Sequence, residues 1–360
     1  MASPVRSVSK LGFPWQTDDP FLFCVYHNDV FPPGQADMSP AVANLWRGRN
    51  KGADFGSKDW NMYHGEKIPG FPRHPHRGFE TVTVVRHGKV DHADGVGCSG
   101  RFGDGDVQWM TAGKGITHSE MFPLLNMEGT NRLELFQIWL NLPARNKMAD
   151  PHFQMLWAET LPHTQYKDAA GKATRVCTIS GSVAEATTAT PAPPPASWAS
   201  EPDSELAIWT IDLDAGATWT LPPAAGGAAI ARTLYFFRGG ETSALTVGGK
   251  QLHGHSAVGL DAAAAVELSA GAAGGCECLL LQGRPIGEPV VQHGPFVMTS
   301  KQEIMQAFED YQRTEFQGPA GWVHSTPSGG EDHAPAWARE TGRFAKYADG
   351  RVESPPGGVD

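Results

Sequence analysis

Two short segments of this 360-residue chain hold residues whose types and spacing could do chemistry: PRHPHRGFETVTVV at 72–85 and GDVQWMTAGKGITHSEMFP at 105–123. In the first, His74 and His76 are two apart, and in the second, His118 and Glu120 are two apart. On a strand, residues i and i+2 point to the same face. Two such strands side by side would aim three imidazoles and one carboxylate at a common point. A borderline divalent metal accepts that donor set, and iron(II), manganese, nickel, copper and zinc all suit it. Spacing alone is a weak signal. With 14 histidines in the chain, His-x-His is expected about 0.5 times by chance, and a second copy, His253-Gly254-His255, does occur. His-x-acid is expected about 1.5 times, and four copies occur: His27/Asp29, His64/Glu66, His92/Asp94 and His118/Glu120. The weight therefore falls on the context of the pairs.

That context reads as strands. FETVTVVRHGKV at 79–90 is dominated by β-branched residues until Gly88 breaks the run. A segment dense in glycine follows (Gly95, Gly97, Gly100, Gly103, Gly105), as tight turns between short strands require. VQWMTAG at 107–113 and the doubly apolar LELFQIWLNL at 133–142 are further strands, and PFLFCVYHN at 20–28 opens the series. Residues 41–68 are polar and irregular. Residues 184–204 shift to Ala, Thr and Pro and read as an extended insertion. Strands resume at 206–213, 233–238, 244–247 and 276–282. Residues 300–313 place Ile304, Ala307, Phe308 and Tyr311 on one stripe behind a Ser300 cap, which predicts a helix. The tail after 318 is polar and rich in Pro and Gly, and reads as a surface extension. The sum is an all-β chain in two similar halves, with one C-terminal helix.

Composition narrows the function classes. Acidic residues (39) outnumber basic ones (29), giving a net charge of −10, so a basic footprint for nucleic acid is missing. No run approaches the ~18 apolar residues of a membrane span, and the N-terminus lacks the apolar stretch of a secretory signal. Five scattered cysteines (Cys24, Cys98, Cys177, Cys276, Cys278) fit a reduced, cytoplasmic protein, or a nuclear one in a eukaryote, better than a disulfide framework.

The segments HPHRGFETVTVV and GDVQWMTAGKGITHSEMFP closely resemble the pirin family. The likeness continues through DDPFLFCVYHNDVFPPG at 18–34, FQIWLNLPARNKMADPHFQ at 136–154 and GEPVVQHGPFVMTSKQEIMQAFEDYQ at 287–312. DGRVE near the end is similar to the longer C-terminal extension of some bacterial members. The resemblance implies the cupin superfamily and two tandem antiparallel barrels or sandwiches. The implied divisions are 1–145 for a metal-binding cupin, 146–299 for a second cupin without metal, and 300–360 for helix and tail. It places the family's three His and one Glu on His74, His76, His118 and Glu120. In many cupins the position of Glu80 is also a ligand, whereas in pirins Glu120 takes that part. Glu80 is then a supporting candidate or a plain strand residue.

The implied activity is quercetin 2,3-dioxygenase-type cleavage of a flavonol-like aromatic substrate by O2, with one divalent metal per chain, iron(II) first. Three His and one Glu leave one or two positions open on an octahedral metal, where a substrate oxygen can bind and lose its proton. Glu120 is then either a lasting ligand or a general base. The alternative that the family implies is a redox-responsive metal protein that binds transcription factors or other proteins without turnover. Other residues read more plainly. His253/His255 lack a matching downstream ligand segment. His92/Asp94 reads as structural or at a pocket rim, and His27/Asp29 and His64/Glu66 read as solvated. Trp109, Phe136 and Trp139 read first as strand core, with pocket lining as the alternative. Arg77 reads as facing solvent at its mouth, and Cys98 as an oxidation-sensitive thiol.

Overall fold

Alternating β-branched and apolar residues do form the strands. Phe79–His87 and Asn131–Asn141 pair antiparallel over most of their length, each buried on both faces. The computed structural model of the chain describes residues 3–239, 244–316 and 340–357, so the stretch 317–339 of the expected tail lies outside the described residues. Two units emerge, each built from two chain segments: Val25–Glu159 with Glu288–Asp360, and Met1–Cys24 with Thr160–Gly287. These bounds differ from contiguous 1–145 and 146–299 cupins. The reason is strand pairing: Val5–Lys10 joins Ser256–Leu260, and Phe344–Lys346 joins Ser99–Gly103.

The unit that carries His74 contains two sheets. One has five strands in the order His152–Leu156, Val107–Thr111, Phe79–His87, Asn131–Asn141 and Phe21–Phe31. The other has six, in the order Val352–Glu353, Phe344–Lys346, Ser99–Gly103, Lys89–Asp94, Ile116–Met121 and Gly70–His76, all antiparallel. Both are open sheets, so the architecture is a sandwich and not a closed barrel. Phe31, Val85, Val90, Phe102, Leu135, Phe153 and Trp157 form an apolar core. Each such side chain contributes about 1.5–3 kcal/mol by leaving water.

The other unit repeats the plan with a seven-stranded and a four-stranded sheet around Val176, Trp209, Leu234, Phe236 and Leu280. Cys276 and Cys278 are strand residues there, as expected. The insertion at 184–204 holds only two short helical turns, Trp198–Ser200 and Pro202–Ser204. No strand lies within 41–68.

The predicted helix is Lys301–Thr314. Ser300 Oγ accepts the Glu303 amide at 3.3 Å, and the Glu303 carboxylate accepts in return from Ser300 Oγ and from the Thr299 amide, each at 3.0 Å, which caps the helix. Ile304 and Ala307 are buried, with Phe308 and Tyr311 packed beside them against Phe296 and Met298. The end of the chain does more than run over the surface. Phe344–Lys346 and Val352–Glu353 extend the six-stranded sheet, and Ala345 is fully buried. Arg343 pairs with Asp106 at 2.9 Å, and Arg101 donates to the Thr341 carbonyl at 2.9 Å. Backbone pairing with an edge strand recruits this largely polar segment, with Ala345 and Tyr347 packed on the core.

Candidate metal centre

Strand register assembles the site. Gly70–His76 pairs with Ile116–Met121 so that His74 faces His118, and Phe71 faces Glu120 across a bulge between Phe71 and His74. On the other side, Asp94 pairs with His118 and His92 with Glu120. Directly paired residues share a sheet face, so His74, His76, His118, Glu120, His92 and Asp94 all point inward. The ligand nitrogens of His74, His76 and His118 lie within 4.8 Å of one another. Glu120 Oε2 stands 4.0 Å from His118 Nε2.

The imidazoles are prepared as neutral donors. His74 donates from Nδ1 to the Pro72 carbonyl at 2.8 Å, which leaves Nε2 unprotonated and aimed inward. Burial lowers its pKa to about 4. Burial pushes His76 and His118 well below the usual histidine range, reinforced by neighbouring imidazoles. Both ring nitrogens of His118 are buried without a hydrogen-bond partner. Orphaned polar atoms in a dry interior are costly. A divalent cation bound by three neutral imidazoles would take one of the two His118 nitrogens as a ligand, so the residues present fit such a group. Burial also raises the pKa of Glu120, opposed by His92 and by hydrogen bonds from Thr83 and Gln137.

The five-stranded sheet supplies the facing wall. Phe79, Thr81 and Thr83 alternate inward along their strand, and Thr83 Oγ1 lies 3.1 Å from Glu120 Oε1. Strand alternation therefore sends Glu80 to the opposite face, where its carboxylate accepts from Thr111 Oγ1 at 2.6 Å. Glu80 is a strand residue turned away from the imidazoles. The same alternation divides the aromatic candidates. Trp139 packs against His76 with ring centroids 5.1 Å apart and stacks on Phe79 at 4.0 Å. Trp109 and Phe136 pair with Val82 and Val84 and so face away. His74, Gln137 and Trp139 are partly exposed, which marks the side from which the site meets solvent.

Other expectations change once the fold is seen. His92 and Asp94 are fully buried in contact at 3.1 Å, with the His92 ring 5.4 Å from that of His118, so they belong to the interior and not to a rim. His27 and Asp29 are buried too, not solvated: Tyr63 OH donates to Asp29 at 2.7 Å and sits 2.8 Å from His27 Nδ1. His64 and Glu66 are exposed, as read. Arg77 is buried rather than facing solvent. It donates to the Lys114 carbonyl at 2.6 Å and to Asp310 at 2.9 Å. Cys98 is buried, and desolvation raises its thiol pKa, the reverse of what a reactive cysteine needs. His253 and His255 join no such cluster among the described residues.

Sequence reasoning missed Thr83, Gln108 and Gln137, which share one row on the inner face of the five-stranded sheet. Their only signal was polar residues at alternate positions inside apolar strands.

Residues 52–140 match the pirin family, and residues 208–317 match the pirin C-terminal cupin domain. The chain belongs to the pirin family. Among its pirin relatives, a Pseudomonas aeruginosa protein provisionally named quercetin 2,3-dioxygenase is 33% identical, over 87% of this chain and 92% of the relative. A pirin-like protein of Caulobacter vibrioides is 38% identical, over 71% of this chain and 84% of its own. The crystal structure of an Acinetobacter baumannii quercetin 2,3-dioxygenase superposes with a TM-score of 0.64 at 27% identity, covering 88% of this chain and 99% of that one. The tandem cupin architecture is thereby that of the pirin and quercetinase relatives. No helix among the described residues is long and apolar enough to cross a membrane.

Proposed function

We propose that this pirin is a mononuclear metal-dependent dioxygenase that cleaves flavonol-like substrates with O2, with His74, His76, His118 and Glu120 around one divalent metal. Iron(II) is the first choice, and manganese, nickel, copper and zinc suit the same donors. The observation that carries the reading is the convergence of three neutral imidazoles within 4.8 Å, beside a carboxylate and next to a partly exposed wall. Such a site can hold a metal and still admit a ligand. The solved quercetin 2,3-dioxygenase relative supports the substrate class.

The bound metal would supply Lewis acidity for a substrate hydroxyl and a meeting place for O2. The chain supplies the rest. The Pro72 carbonyl holds His74 in one tautomer. Trp139, partly exposed and backed by the stacked Phe79 ring, offers an apolar wall for a planar ring. Glu120, beside the imidazoles, is the group placed to accept the hydroxyl proton, steadied by Thr83 and Gln137.

Oxygen uptake by anaerobically purified, iron(II)-loaded protein given quercetin tests this reading, with His118→Ala alongside. The expected result is uptake that tracks flavonol loss and vanishes in the variant. Glu120→Gln should retain metal while turning over slowly. No uptake with iron still bound at about one per chain would refute the enzyme. It would move the assignment to the redox-responsive binding protein.

A further inference from the structure

The carboxylate of Glu120 is held from the facing sheet, one donor to each oxygen. Thr83 Oγ1 lies 3.1 Å from Oε1, and Gln137 Nε2 lies 3.3 Å from Oε2. Thr83 and Gln137 are direct antiparallel partners, so their side chains stand together on one sheet face. The Thr83 hydroxyl has one proton but two acceptors in reach, Glu120 Oε1 at 3.1 Å and Gln137 Oε1 at 2.8 Å. It can donate to only one of them at a time. Two arrangements follow. In one, both carboxylate oxygens are anchored on the facing sheet. In the other, the hydroxyl turns to Gln137 and Oε1 is released.

We infer that Thr83 and Gln137 are positioning residues that give the Glu120 carboxylate a resting place off the metal, with the Thr83 hydroxyl turning between the two arrangements. The inference rests on reading Glu120 as a partner of the three-imidazole site. It carries a sign that an ordinary support would not. A residue that orients a ligand toward a metal weakens binding about 10–100-fold when removed. A residue that competes with the metal for the carboxylate strengthens binding when removed. Losing one charge-assisted hydrogen bond off the metal shifts that balance about tenfold.

The test uses full-length protein and cobalt(II) as the probe, with release to excess chelator and visible absorption as readouts. Thr83→Val keeps the shape and removes the hydroxyl, Thr83→Ser restores it, and Gln137→Met removes the second donor. The expected result is cobalt release about tenfold slower in Thr83→Val, with the weaker absorption of a higher coordination number. Gln137→Met should move the same way and Thr83→Ser should behave as wild type. Gln137→Met keeps the test open should Thr83→Val not fold. Unchanged or faster release in the folded donor-deleted variants overturns the inference. Glu120→Ala separates the two levels. If it leaves the cobalt spectrum unchanged, Glu120 is no partner of the metal and the underlying reading fails. If it alters the spectrum while the Thr83 and Gln137 variants do not, only the resting place is refuted.

Discussion

Replacing Arg77 with methionine should loosen the strand that carries His74 and His76. Arg77 directly follows His76, and its side chain is only 6% exposed. It donates from Nε to the Lys114 carbonyl at 2.6 Å and from Nη1 to Asp310 at 2.9 Å, and lies 4.6 Å from the centre of the Phe316 ring. One side chain thus ties the His76 strand to the turn before His118 and to the C-terminal helix. Each charge-assisted hydrogen bond contributes about 1.5–3 kcal/mol and a desolvated cation–π contact about 2 kcal/mol. These terms do not add in full. Asp310 also keeps Arg313 at 2.9 Å, so it is not left without a cation. The net expectation for Arg77→Met is a loss of about 3–5 kcal/mol, typical of breaking a buried pair by removing one partner. Asp310→Asn, which keeps an acceptor, should cost about 1–2 kcal/mol. Urea unfolding of both variants beside wild type measures the difference, and limited proteolysis reports whether the helix end has come free. A loss below about 1 kcal/mol in Arg77→Met would refute the clamp, because it would place the guanidinium effectively in water.

Three further outcomes follow from the same structure. His27 is buried and its pKa is lowered to about 4, so the unfolded chain takes up the proton first as pH falls from 6.5. Wild type should therefore lose about 3 kcal/mol relative to His27→Gln between pH 7 and pH 4, and parallel pH–stability curves would count against it. Metal analysis should find the content of a His253→Ala/His255→Ala double variant unchanged, while His118→Ala falls to background. Gly78 has φ +85°, and a Cβ there would sit 1.9 Å from the Val297 carbonyl oxygen. Gly78→Ala should accordingly destabilise the unit by about 3 kcal/mol or more, measured as a drop in Tm, and a change within error would show that the turn can shift.

Much of this protein was legible from local pattern. Strand periodicity announced an all-β chain, and a capped apolar stripe announced the helix at Lys301–Thr314. The two-residue spacings of His74/His76 and His118/Glu120 placed each pair on one strand face, because side-chain alternation is a property of the backbone itself. What local pattern could not show was which strands become neighbours, and in what register. His92-Ala93-Asp94 reads like any other His-x-acid pair until its strand is laid beside Ile116–Met121. Thr83 and Gln137 are polar residues in apolar runs until the facing sheet brings Glu120 to them. Trp109 and Trp139 look alike in the sequence, yet pairing to opposite faces of Phe79–His87 sends only Trp139 to the imidazoles. The C-terminal segment shows only the short run Phe344-Ala345-Lys346-Tyr347 amid polar residues, because its place on the six-stranded sheet comes mainly from backbone hydrogen bonds, with Ala345 and Tyr347 packed on the core. Donor chemistry and strand face are local properties and were set by sequence alone. Register, facing partners and the burial that keeps the imidazoles neutral depend on contacts between distant segments, and only the tertiary structure decided them.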